Sequence, residues 1–357
     1  DVRITSYTRD ISGHVCMITD PEGNKSEYFY DLCGRIISHK DEDGNTTNCV
    51  YRKDGTEEKI SFQDGRSIRY QYDALKRLIQ IEDWLGKTQF ERDAEGRLLH
   101  VTDHSGKETR YQWDERGACT QIIYPDGKKA VYEYDDLMHL IKTKYEDQIA
   151  QYTYYGNGRR KERSLQNGLI SKYVYDPSGN ISELSHFQDG NLISQYQYFY
   201  DKCGRKNRII ERQDAFSEAV ENKFYYNALG AISSVEKNGK ETERYSYDIF
   251  GNRIESFCGG VETTYGYDRL NRLTVRETAG EIQKYSYDRR GNLSGIASNG
   301  IQKLTMHFDA LNRLATAKSD MGEAAYEYNG LDVLTGVRKQ TEGQSKKEQY
   351  FYDYTSS

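Results

Sequence analysis

A tyrosine pair followed by aspartate recurs along the whole 357-residue chain, and that recurrence constrains the fold more than any single residue does. The phrase Tyr265-Gly266-Tyr267-Asp268 returns as Tyr285-Ser286-Tyr287-Asp288, and most steps between aspartates are 20 or 21 residues. Taking that aspartate as the slot of each repeat gives seventeen slots. Thirteen are Asp: 10, 31, 73, 93, 114, 135, 176, 201, 248, 268, 288, 309 and 353. Arg52, Tyr155, Asn227 and Asn329 fill the others. The longer steps run from 176 to 201, 201 to 227 and 329 to 353.

One position before the slot, 15 of 17 residues are aromatic, and three positions before it again 15 of 17. These two columns hold 26 of the 32 tyrosines, so the tyrosine excess is the repeat itself. Three positions after the slot, Gly stands 11 times, with Asn271 and Asn312 as substitutes. Gly and Asn share a tolerance for left-handed backbone. Arg follows in seven slots, for example Arg35, Arg77 and Arg272. The clearest carriers of the signature are Tyr70, Tyr72 and Asp73; Tyr173, Tyr175, Asp176 and Gly179; Tyr245, Tyr247, Asp248 and Gly251; Tyr265, Tyr267 and Asp268; and Tyr285, Tyr287, Asp288 and Gly291.

Aromatics two apart share one face of a strand. The aspartate opens a four-residue turn in which its carboxylate accepts a backbone N–H, and the Gly suits the turn's end or a bulge. A second turn signal comes midway: DPEG (20–23), QDG (63–65), DHSG (103–106), PDG (125–127), QDG (188–190) and SNG (298–300). Two turns per repeat leave two segments of about six residues, the usual strand length. Each repeat is therefore expected to be one β-hairpin. The fold class is all-β: tandem hairpins of 20–21 residues in one long, curled antiparallel sheet, open rather than closed. At ~4.8 Å per strand, about 34 strands would extend about 160 Å, far beyond what a flat sheet sustains. Residues 1–357 are read as a single array with longer repeats at 177–227 and 330–353 and no separate catalytic domain. Residues 216–230 are the best helical candidate, read as an insertion loop with one helical turn.

Mean hydropathy is −0.92 and net charge −6, with 50 basic and 56 acidic residues evenly spread. No basic patch supports nucleic-acid binding, and no run of 18 apolar residues supports a membrane span. The opening residues carry no signal-peptide pattern. Six dispersed cysteines, with no C-x-x-C pair, are expected to be free, buried thiols.

No constellation demands catalysis, a cofactor or a metal. A carboxylate reproduced thirteen times at one structural position is a turn former before it is a catalyst. KDEDGNTTN (40–48) clusters acids without EF-hand spacing, which leaves a weak surface calcium site as the alternative. HVTDH (100–104) lacks the glutamate of a zincin motif. His14 and His139 stand where Arg usually follows the turn. YGNGRR (155–160) is the repeat's own turn, slightly altered. Each Arg of that column is read as packing on a tyrosine face or pairing with a nearby carboxylate, with acidic-glycan binding as the alternative.

The pattern Tyr-x-Tyr-Asp-x-x-Gly-Arg-Leu, seen closely in YQYDALKRLIQIED (70–83) and YVYDPSGNISEL (173–184), resembles the YD repeats of the Rhs family. The same repeats occur in the C components of bacterial Tc toxin complexes and in animal teneurins. The resemblance covers nearly the whole chain and implies β-ribbons that spiral into a hollow shell. In the bacterial members that shell encloses a C-terminal toxin; in teneurins it belongs to an adhesion ectodomain. The family's closing segment, with its self-cleaving aspartates, is not matched before the final QYFYDYTSS. The expectation is a piece of a larger polypeptide, with unpaired edge strands unless they are capped. The implied role is a non-enzymatic scaffold around a linked effector, secreted or at a bacterial cell surface. Its partners would be the remainder of its own polypeptide. The alternative is a surface protein that binds a cell-surface glycan or protein.

Overall fold

A computed structural model describes residues 3–341 and 343–350. The described residues form thirty-three strands of one antiparallel sheet and contain no helix. The slot at Asp353 lies outside them. Strands pair with their neighbours in the chain, as Lys25–Tyr30 does with Ile36–Lys40. Each slot marks one hairpin turn and each midway signal the next, so the array of hairpins read from the sequence is the architecture observed.

The register explains the two aromatic columns. Tyr28, three before its slot, faces His39, eight after it, and Tyr30 faces Ile36. Between these pairs the register shifts, leaving Ile37 as the extra residue of a β-bulge. The same shift recurs at the residue just before the slot in other hairpins, including Tyr72, Tyr175, Tyr247 and Tyr287. The pairs at three before and eight after make the core: Tyr70–Ile81, Phe90–Val101 and Tyr111–Ile122. Ile81 and Val101 are 0% and 1% exposed.

Contacts gather into two compact units: Asp1–Glu108 with Thr264–Ser357, and Thr109–Thr263. In the first, the buried apolar residues include Ile68, Ile81, Phe90, Leu98 and Val101. In the second they include Tyr111, Ile122, Ala130 and Val235.

Two expectations need correction. Residues 216–230 hold no helical turn. They form a bend, then the strand Val220–Tyr226. Asp214 takes the N–H groups of Phe216 (2.8 Å) and Ser217 (2.6 Å), which offers the backbone a capped turn in place of a helix. The 176 to 201 step spends its extra residues on the longer strands Ile181–Gln188 and Asn191–Tyr200. The cysteines are free, as expected, but none is buried: Cys33, Cys203 and Cys258 are exposed and the others half-buried. Cys33 and Cys203 lie in slot turns, where the backbone faces water.

The midway turns differ in kind, as two of them show. In QDG at 63–65, Phe62 N–H donates to Arg66 O and only Gly65 has positive φ (88°). In QDG at 188–190, Asp189 (φ 50°) and Gly190 (φ 83°) are both left-handed, the geometry of a two-residue type I′ hairpin. One tripeptide therefore makes two turns. The longer strands around 188–190 bring the pairing up to Gln188↔Asn191, leaving room for only two turn residues.

Candidate functional site

The candidate site is the slot turn with its aspartate. At Asp31, Oδ1 accepts the backbone N–H groups of Cys33 (2.9 Å) and Arg35 (3.0 Å), while Oδ2 accepts Arg35 Nε–H (2.8 Å). Gly34 N–H donates to Asp31 O, closing a turn that ends in left-handed backbone. In all sixteen described turns the residue three after the slot has positive φ, including Lys76 (61°) and Met138 (67°). The turn imposes that conformation even where the side chain resists it.

Each turn also reaches the next repeat. The Arg35 guanidinium lies 4.5 Å over the Tyr51 ring, and Tyr51 O–H donates to Ile36 O (2.9 Å). Tyr30, Tyr134, Tyr154, Tyr200, Tyr226, Tyr247 and Tyr287 likewise donate to the carbonyl five after the preceding slot. That carbonyl sits at the bulge. The tyrosine therefore satisfies a group next to a break in the ladder. Arg92, in a tyrosine position, points Nε–H at the equivalent Leu78 O (3.5 Å).

His14 and His139 perform the arginine's task. Their Nδ1 atoms lie 3.2 Å and 2.9 Å from the slot carboxylates, and their rings stack on Tyr30 and Tyr154. Gly158 within YGNGRR (φ 79°) ends a slot turn like the others, and the Tyr155 hydroxyl donates to Tyr173 O (2.9 Å).

The remaining signature residues fall into the same frame. Asp73 holds Arg77, and the Tyr70 and Tyr72 rings are 6.5 Å apart. Asp176 accepts from Asn180 Nδ2, Asp248 from Asn252 Nδ2 and Asp288 from Asn292 Nδ2. Asp268 holds Arg272, which stacks on Tyr287. Gly179, Gly251 and Gly291 have φ of 93°, 83° and 89°. Tyr173 and Tyr175 end Leu169–Tyr175, and Arg159 lies over Tyr175. Tyr265 and Tyr267 end Val261–Tyr267, half-buried. The Tyr245 hydroxyl donates to Glu243, and that of Tyr285 to Gln283.

The electrostatics follow this geometry. The backbone N–H of Arg35, then its side chain, holds Asp31 below the usual aspartate value, and Arg77 and Arg205 do the same for Asp73 and Asp201. Burial opposes the shift at Asp268, and the Arg272 hydrogen bonds overcome it. Burial raises Tyr51 and Tyr287 above the ordinary phenol value. A carboxylate held toward its ionised form is a weak proton acceptor, and a phenol pushed upward is a weak nucleophile. The arrangement caps turns and links hairpins.

At 40–48, Asp41 Oδ1 caps its own turn by accepting the N–H groups of Asp43 and Asn45. The Arg290 guanidinium lies 3.4 Å from Asp41 and 2.8 Å from Asp43, so a cationic side chain stands where a calcium ion was considered. His100 in HVTDH lies between Glu91 (3.1 Å) and Glu108 (3.6 Å). Among the described residues no group of three or more His, Cys, Asp or Glu could hold a metal ion, and no helix is long and apolar enough to cross a membrane. Periodicity gave no sign of the tyrosine hydroxyl's partner, nor of Arg66, Trp84 and Arg290, whose partners lie more than 240 residues away.

The family model described as RHS Repeat matches residues 92–129. The tRNA3(Ser)-specific nuclease WapA of Bacillus spizizenii is 24% identical over 316 residues, covering 79% of this chain and 13% of the nuclease. Teneurin-m of Drosophila melanogaster is 21% identical over 365 residues, 91% of this chain and 13% of its own length. The chain thus spans only a small part of these curated relatives. The crystal structure of TcdB2-TccC3-TEV has a TM-score of 0.69 over 99% of this chain and 23% of that one, at 15% identity, a likeness of fold. Register and hairpin geometry agree with these likenesses, and residues 92–129, which match the RHS Repeat model, are built on the same hairpin unit as the other described repeats.

Proposed function

We propose that this chain is a non-enzymatic scaffold, a stretch of RHS-repeat wall that encloses or presents an effector carried on the same polypeptide. The observation that carries this reading is the use of the slot carboxylates as turn caps, repeated from Asp10 to Asp309. Each hairpin bonds to the next through backbone and side chain, which is what a continuous wall needs and what a single reactive centre does not. Relatives named as a nuclease and as a double-stranded DNA deaminase toxin support a linked effector. Its partners are then other parts of its own polypeptide, and its place is outside the cell or on its surface.

The test is limited proteolysis of the complete polypeptide. The effector region should be cut at least about tenfold more slowly when joined to this wall than when produced alone, the ratio expected of a segment whose opening costs ~1.4 kcal/mol more. Equal rates would end the proposal.

A second reading is supported by the likeness to Teneurin-m. In it, exposed aromatics such as Tyr225 (44% exposed) contact a cell-surface glycan or protein. A glycan array that returns no binding beside a working control lectin removes the glycan form of it.

A further inference from the structure

Within the first unit, four midway turns meet four slot turns twelve slots further along the chain. Arg269 N–H donates to Glu22 (3.2 Å), Arg290 Nε–H to Asp43 (2.8 Å) and Gly330 N–H to Asp83 (2.5 Å), each across 247 residues. Arg66 donates to Asp309 (3.0 Å). Trp84 lies 4.7 Å from the Arg66 guanidinium and 5.1 Å from that of Arg313, and its Nε1–H donates to Tyr328 O (2.9 Å). A Cβ on Gly330 would stand 3.0 Å from Ile68 Cγ1 and 3.1 Å from Asp83 Cβ, so that approach leaves little room for a side chain.

We propose that charge polarity, reversed between the second and third contacts, selects the single register in which these two runs of repeats meet. At the second contact the acids, Asp41 and Asp43, are on the early turn and the base, Arg290, is on the late one. At the third the base, Arg66, is early and the acid, Asp309, is late. Arg290 and Arg313 have side chains only 8% exposed, so their charges are poorly screened by solvent.

The repeats are nearly identical in backbone, so hairpin geometry alone would accept a slip of one repeat. A step backward sets Arg66 against Arg290 and Asp83 against Asp309. A step forward sets Asp41 and Asp43 against Asp309. Like charges brought together discriminate against a wrong partner more strongly than matched charges favour the right one. The early and late turns thus act as a keyed interface between runs of one repeat family. This holds whatever the wall encloses.

The test places a photo-reactive benzoylphenylalanine at Arg289, which shares a cleft with Glu42 and Asp43, and maps its adducts by mass spectrometry. The unaltered chain should give adducts in turn 41–44. In R290D, Arg66 becomes attractive to position 290. Adducts in turn 41–44 should then fall about tenfold or more and appear in turn 62–66. In D43R/R290D the 43–290 pair is kept with its polarity exchanged to match its neighbour's, while Asp41 now faces a like charge, so adducts should spread over both turns. That variant leaves every slot cap intact and guards against a misfolded single variant. Adducts confined to turn 41–44 in both variants would overturn the proposal, as would their absence from that turn in the unaltered chain.

Discussion

At the residue scale, the slot aspartate does three jobs with two oxygens. Asp268 accepts N–H groups from Leu270 and Arg272 and the Arg272 Nε–H as well. D268N keeps an acceptor for both backbone donors and should destabilise less than D268A, which leaves them unpaired at a cost of about 1–2 kcal/mol. Urea melts of the two variants measure the difference, and equal losses would show that the carboxylate acts only through its charge. The tyrosine columns separate in the same way. Y287F loses a hydrogen bond to Leu273 O, worth about 1 kcal/mol, whereas Tyr285 reaches only a Gln283 side chain and Y285F should cost less. The sequence shows that both columns are aromatic. It does not show that one of them needs an oxygen, because the acceptor belongs to the previous hairpin.

At the element scale, the hairpin was readable because its turn is local: slot, glycine and arginine lie within five residues. The second turn was not, since QDG yields two geometries and strand length decides between them. Asn238 and Asn299 show what the two-residue turn adds. Each has positive φ, and its backbone N–H and side-chain oxygen pair with Glu221 and Ile282 respectively, extending the ladder by one rung. The left-handed position of the slot turn is equally strict. M138G should stabilise by up to about 1 kcal/mol, because a side chain is strained at φ 67° and glycine is not. A thermal melt reads this directly, and a lowered midpoint would mean that the methionine's packing outweighs its strain. The single helical turn expected within the loop at 216–230 is absent for the same kind of local reason: the Asp214 carboxylate gives the backbone a bend.

At the scale of the whole molecule, many small caps share one dependence on pH. Asp31, Asp73, Asp201 and Asp268 all sit below the ordinary aspartate value in the folded state. Their contribution is therefore complete above the unfolded value near ~3.9 and is lost as pH falls through the lower folded values. Circular dichroism and tryptophan fluorescence should stay flat down to about pH 4 and then change together. A transition centred near pH 6 would count against the aspartate caps as its cause. The contacts across 247 residues had no signature in the sequence. They differ in chemistry from one to the next, and that difference is what hid them from a search for repeats.

The turn-on-turn contacts also bear on how the protein would behave under tension. Hairpins that bond only to their neighbours release one at a time when pulled, each freeing about 20 residues or ~70 Å of chain. Residues 20–86, however, are also clasped to 268–332. Force applied at residues 20 and 332 would meet that clasp first, and the small, regular extension steps between them would begin only after it had parted.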